Sequence, residues 1–207
     1  MIHDSRDAHQ SEGIILPAGQ AERPLSPEEA EAHHAIERVW GALYRAPLDY
    51  QLVEGAGFSG ESRSLLDHAG SMTLRLESHW QETLRLRVLS SKQTGDYLAR
   101  LVILEGARSG VIHQLAALRV RLNALPLHLQ THVREGLVPL GRLLSDAGIE
   151  FRPTRLAFID ARCPALSSIN TRLTAGTRLP GRLSRLLLLP SNEVLGESIE
   201  MLPSSNL

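Results

Sequence analysis

Arg100 lies in Tyr97-Leu98-Ala99-Arg100-Leu101-Val102-Ile103-Leu104, a run apolar enough for the core of a sheet. Strand side chains alternate between faces, so Arg100 shares a face with Leu98, Val102 and Leu104. A guanidinium keeps its proton in a protein, and in apolar company it needs a carboxylate or phosphate partner. No acidic residue stands beside it in the run. Two sources stay open: another part of the chain, or a bound ligand. The second candidate is Glu197, in Val194-Leu195-Gly196-Glu197-Ser198-Ile199-Glu200-Met201-Leu202. Strand parity groups Glu197 with Leu195, Ile199 and Met201, and Glu200 with Ser198 and Leu202. A carboxyl on an apolar face is costly unless paired or protonated, and such burial can tune a catalytic acid or base. A salt bridge, with Arg100 as one candidate partner, explains Glu197 equally well.

Two helix starts add a third kind of chemistry. Gly70-Ser71-Met72-Thr73 and Pro139-Leu140-Gly141 each expose backbone N–H groups at the positive end of a helix dipole, and such ends hold anions. With Arg100 they could grip a carboxylate; ordinary capped helices are the simpler account. Other candidates are weaker. His128 and His132 stand four apart on an expected helix, a metal-holding spacing, but no third ligand is evident and surface histidines explain them. The adjacent pair His33-His34 diverges on a helix. Cys163, before Pro164, carries no nucleophile signature and reads as a buried thiol. Gly57-Phe58-Ser59-Gly60 misses the nucleophile-elbow spacing, and neither a phosphate-cradling loop nor a dinucleotide fingerprint is present.

These groups need a scaffold. Ser26-Pro27-Glu28-Glu29 combines an N-cap, a first-turn proline and a capping box. Ile36, Val39, Trp40, Leu43 and Tyr44 follow at helical spacing. Residues 54–64 are rich in Gly and Ser and read as a loop. A short helix is expected from Ser71. Leu84, Leu86 and Val88 alternate with Arg85 and Arg87 as a half-exposed strand, the Arg100 strand follows, and residues 106–110 form a turn. Leu118, Val120 and Leu122 alternate with Arg119 and Arg121 in a third strand. Helices are expected over 126–135 and from Pro139, a helical piece at 165–172, and strands at 155–161, 182–189 and 194–201. Strands joined mostly by short turns, with helices inserted, predict an α+β fold: an antiparallel sheet with helices on one side.

The composition narrows the function. The chain has 207 residues, enough for one domain with a substantial core. Residues 1–24 read as a loose polar arm and residues 25–207 as a single domain, with 25–64 as an N-terminal helix and loop. Lys and Arg total 22 against 23 Asp and Glu, so nothing draws the chain toward nucleic acid or an anionic membrane. Aromatics are only 4%, too few for a base-stacking surface. The single Cys163 rules out an internal disulfide and suits a reducing compartment. The N-terminus lacks the regions of a signal peptide, and no apolar run is long enough to span a bilayer. A soluble cytoplasmic protein is the expectation.

Four short pieces, in order, resemble the chorismate pyruvate-lyases and their chorismate lyase-like relatives. They are Ser71-Met72-Thr73 with Arg75 and Glu77, residues 97–104 around Arg100, Pro139-Leu140-Gly141-Arg142 with Leu144, and Ser184-Arg185-Leu186 leading ungapped to Glu197. Together they span residues 65–203, about two thirds of the chain. The resemblance implies an antiparallel sheet whose helices enclose an internal ligand pocket. It implies that Arg100 pairs with a ring carboxylate and that the backbone N–H groups of Met72 and Leu140 complete that anion site. Glu197 would face the far end of the ring, near its hydroxyl. The implied activity is a cofactor-free, metal-free lyase, converting chorismate to 4-hydroxybenzoate and pyruvate in aromatic-acid or ubiquinone biosynthesis. The alternative is a non-catalytic aromatic-acid binding module of the same fold, akin to the effector-sensing domains of certain bacterial regulators, or an enzyme acting on a different aromatic acid. The segment between Thr73 and Arg100 is shorter than in the best-known lyases. The stretch from Glu197 to Pro203 is two residues longer, which makes Glu200 the rival carboxyl.

Overall fold

The computed structural model describes residues 24–54, 57–58, 60–165 and 173–203. The expected arm, except Pro24, and the helical piece at 165–172, except Ala165, lie outside the described residues. The elements run α1 (Pro27–Trp40), β1 (Tyr50–Val53), α2 (Gly60–Leu66), α3 (Met72–Trp80), β2 (Leu84–Thr94), β3 (Tyr97–Gly106), β4 (Ile112–Arg121), a 3-10 turn (Leu122–Ala124), α4 (Leu127–Glu135), α5 (Leu140–Asp146), β5 (Phe151–Arg162), β6 (Arg178–Leu188) and β7 (Glu193–Met201). The strands form one antiparallel sheet in the order β1-β5-β6-β7-β4-β3-β2. This is the α+β architecture that the alternation of strands and short turns predicts. Among the described residues no helix is long and apolar enough to cross a membrane.

The start of α1 follows its sequence. Ser26 Oγ accepts from the Glu29 N–H at 3.1 Å, and Glu29 Oε2 accepts from the Ser26 N–H at 2.8 Å. That closed capping box satisfies two otherwise orphaned donors. Ala32, Ala35, Ile36, Val39 and Trp40 then pack onto Leu101, Ile103, Leu115, Ala117, Ile199 and Met201. Each fully buried large aliphatic side chain here contributes about 1.5–3 kcal/mol.

The opposite face of the sheet is covered by two separate clusters. Leu65, Leu66, Met72 and Leu76 from α2 and α3 meet Leu84, Leu104, Phe158 and Leu202. Leu129 and Val133 of α4 and Leu144 of α5 meet Leu98, Val120, Leu186 and Leu195. Residues of both clusters line a cavity over the middle of the sheet. Helices thus lie on both faces, not on one as the sequence suggests, because α1 crosses behind β4–β7 while α2 to α5 cover the front.

Two further expectations are corrected. Residues 60–64, the end of the expected loop, belong to α2, where Leu65 and Leu66 bury against the sheet and override the Gly/Ser-rich start. The strand β1 has no counterpart in the sequence reading; it pairs with β5 across a long sequence separation, from Tyr50↔Ala161 to Val53↔Phe158.

Candidate functional site

The cavity floor is built from the alternation of β3, β4 and β7. Arg100 pairs across the sheet with Leu118, and Leu118 with Ser198. The next row is Val102, Ala116, Glu200 and Arg182. The roof comes from the two helix starts: Ser71, Met72 and Thr73 open α3, and Pro139, Leu140 and Gly141 open α5. Neither start carries a side-chain capping bond. The two come together because residue 141 is glycine. A Cβ there would stand 2.2 Å from Ser71 Oγ, so any larger residue has to turn the Ser71 side chain aside. Met72, Arg100 and Leu140, singled out from sequence, therefore line one cavity.

Arg100 is 4% exposed. Its Nη2 donates to the Arg134 carbonyl at 2.5 Å, in the last turn of α4, and its Nε reaches Ser91 Oγ at a long 3.4 Å. Nη1 makes no hydrogen bond to a described residue, and no carboxylate among the described residues forms an ion pair with the guanidinium. Burial pushes its pKa down, yet an arginine stays charged at physiological pH. A helix C-terminus supplies only about half a negative charge, so the carbonyl end of α4 leaves part of the cation uncompensated. Gly136 makes the approach possible. It ends α4 at φ +66°, and a Cβ there would lie 2.8 Å from Arg100 Nη1.

Glu197 is a correction. It lies on the opposite face, under α1, and does not line the cavity. Arg38 donates to it twice, at 3.0 and 2.7 Å, and Arg185 once at 3.1 Å; Glu31 bridges the same two arginines. Burial by itself would raise the Glu197 pKa, but the bonds from Arg38 and Arg185 outweigh it and hold the carboxyl below its usual range. The grouping with Leu195 fails for a local reason. Leu186 pairs with Gly196 but Leu187 with Val194, so Leu195 is an extra residue that turns to the cavity-side cluster.

Glu200, the rival carboxyl, lines the cavity. Arg182 Nε donates to it at 2.6 Å, and Arg182 is only 1% exposed. The same guanidinium reaches the carbonyls of Leu66, His68 and Gly70, at 3.3, 2.8 and 3.5 Å. It therefore ties Glu200 to the segment that leads into α3. The sequence reading missed Arg182, although the signal matches that of Arg100: an arginine sharing strand parity with Ser184 and Leu186. Gln114, also missed, is 2% exposed and lines the cavity. Its signal is a single amide between His113 and the apolar run Leu115-Ala116-Ala117-Leu118, in a strand whose start the alternation places later.

The remaining candidates lie elsewhere. His128 and His132 are exposed on α4, and no group of metal-ligand side chains occurs among the described residues. Cys163 is a buried free thiol whose pKa burial raises.

The architecture is a seven-stranded antiparallel sheet with helices closing over an internal cavity. No family model matches the sequence, and no curated protein does. Among solved structures, the effector domain of PhnF from Mycobacterium smegmatis aligns with a TM-score of 0.49 at 13% identity, over 66% of this chain and 90% of that one. The structure of PhnF from the same organism aligns with a TM-score of 0.49 at 12% identity, over 86% of this chain and 82% of that one. Neither likeness assigns a role to any residue.

Proposed function

We propose that the protein is a binding module for a small aromatic carboxylic acid. The observation that carries this reading is Arg100: a buried cation beside an apolar cavity, with Nη1 unengaged and no described carboxylate to neutralise it. A ligand carboxylate meets that need by a charge-assisted contact. The uncapped N–H groups at Met72, where α3 begins, add donors, and the backbone at Leu140 closes the same end. Leu86, Val102, Leu104, Leu118 and Phe151 present the apolar walls that a ring requires.

Binding is favoured over catalysis by the state of Glu200. Among the described residues it is the one acid lining the cavity, and Arg182 holds it as a hydrogen-bond acceptor. No described His, Cys or Lys joins it there to relay a proton. The second reading is the lyase reaction on chorismate, supported by the ordered sequence pieces and by Glu200, which lines the same cavity as Arg100. Aromatisation would drive that reaction, so positioning and electrostatics would suffice.

Calorimetric titration with benzoate and 4-hydroxybenzoate tests the binding reading. The wild type should bind both, and Arg100→Met should weaken both by about 100-fold, in the range for losing one partner of a buried charge pair. Equal affinity in that variant refutes the anchor. Ultraviolet absorbance of a chorismate mixture decides between the two readings: steady formation of 4-hydroxybenzoate establishes the lyase, and tight product binding without turnover the module.

A further inference from the structure

Gln114 poses a problem that the carboxylate anchor does not solve. Its side chain is 2% exposed, its Nε2 is fully enclosed, and it makes no hydrogen bond to any described residue. The N–H₂ group therefore has no acceptor among the described residues. A buried amide left unpaired destabilises a fold, so a residue that only filled space here would serve better as Leu or Met. The residue also lines the cavity, so a turn of its side chain brings the amide to a ligand group.

The sheet register says which part of the ligand that is. Gln114 pairs with Leu104, four residues along β3 from Arg100 and one strand over. Glu200 pairs with Ala116, so it sits on the next strand from Gln114 and two residues back. A ring whose carboxylate rests near Arg100 thus meets two polar side chains at its far end, on neighbouring strands. Glu200, held by Arg182, is an acceptor and suits a hydroxyl. The Gln114 amide suits an oxygen on the adjacent ring position. Ser198, 5% exposed and with its own Oγ unpartnered, lines the same cavity.

We propose that Gln114 determines specificity by reading a second oxygen substituent next to the one that faces Glu200, which makes the ligand an aromatic acid with vicinal oxygens. This rests on the aromatic-carboxylate reading of the cavity. The test is calorimetric titration of wild type and Gln114→Met with benzoate, 4-hydroxybenzoate and 3,4-dihydroxybenzoate. Wild type should bind the dihydroxy acid about tenfold more tightly than the monohydroxy acid, the value of roughly one good hydrogen bond. In Gln114→Met that gap should close while benzoate affinity stays within about twofold. The ligand-free variant should also melt higher by about 2–4 °C, because an unpaired amide is gone. A gap that survives in the variant, no gap in wild type, or a lower melting point overturns the role of Gln114 and leaves the carboxylate site standing. No binding of any of the three acids to wild type overturns both.

Discussion

The two faces of the sheet both bury charge, and they do so to opposite effect. Behind the sheet, Glu197 is surrounded by Arg38 and Arg185, with Glu31 closing the cluster to two acids and two bases. In front, Arg182 and Glu200 pair one to one, and Arg100 has a helix carbonyl but no described acid. Burial of a charge is thus a poor marker of function by itself. A structural network neutralises its own charges, whereas Arg100 leaves a surplus beside a largely apolar cavity. The same contrast separates Glu197 from Glu200: the former fastens α1 to the sheet, the latter is open to the cavity.

The largest effect should come from the ion pair on the front face. Arg182→Leu strips Glu200 of its partner and frees three carbonyls before α3. Unfolding in urea should show a loss of about 3–5 kcal/mol, much of it recovered in the Arg182→Leu, Glu200→Leu double variant. A loss under about 1 kcal/mol would mean that Arg182 does not hold the front face together. Next in size is Glu197→Gln, expected to cost about 1–2 kcal/mol at neutral pH, with the partly exposed arginines screening the rest. The folded pKa of Glu197 lies below its unfolded value. Its contribution is therefore present above the unfolded carboxylate pKa and disappears as pH falls through the folded one. Wild type should lose stability relative to Glu197→Gln on acidification, and ligand affinity should not change. An affinity loss in that variant would restore Glu197 to the site. The smallest effect is Gly141→Ala. Its methyl group would press on Ser71 and part the two helix starts, weakening benzoate binding about fivefold with little change in unfolding. Unchanged binding would show that the starts need not converge.

Much of this was legible along the chain, for reasons that particular residues make plain. Leu98, Arg100, Val102 and Leu104 share a face because strand side chains repeat every two residues, and no tertiary contact can alter that within an unbroken strand. Ser26 and Glu29 close their box through contacts three residues apart. Met72 and Leu140 begin helices where the local signals place those starts. By contrast, β1 depends on a partner more than a hundred residues away, and α2 on a sheet that its own residues do not describe.

What the residues determined alone was the set of side chains that travel together: Arg100 with its apolar neighbours, and Glu200 with Ser198. What only the folded chain decided was which of the two faces would be covered by α1 and which would keep a cavity. Parity divides a strand into two sides but labels neither, and the extra residue at Leu195 breaks even that division near the start of β7. The label comes from helices packing across long sequence separations, and that packing gave the cavity to Glu200 and the salt-bridge network to Glu197.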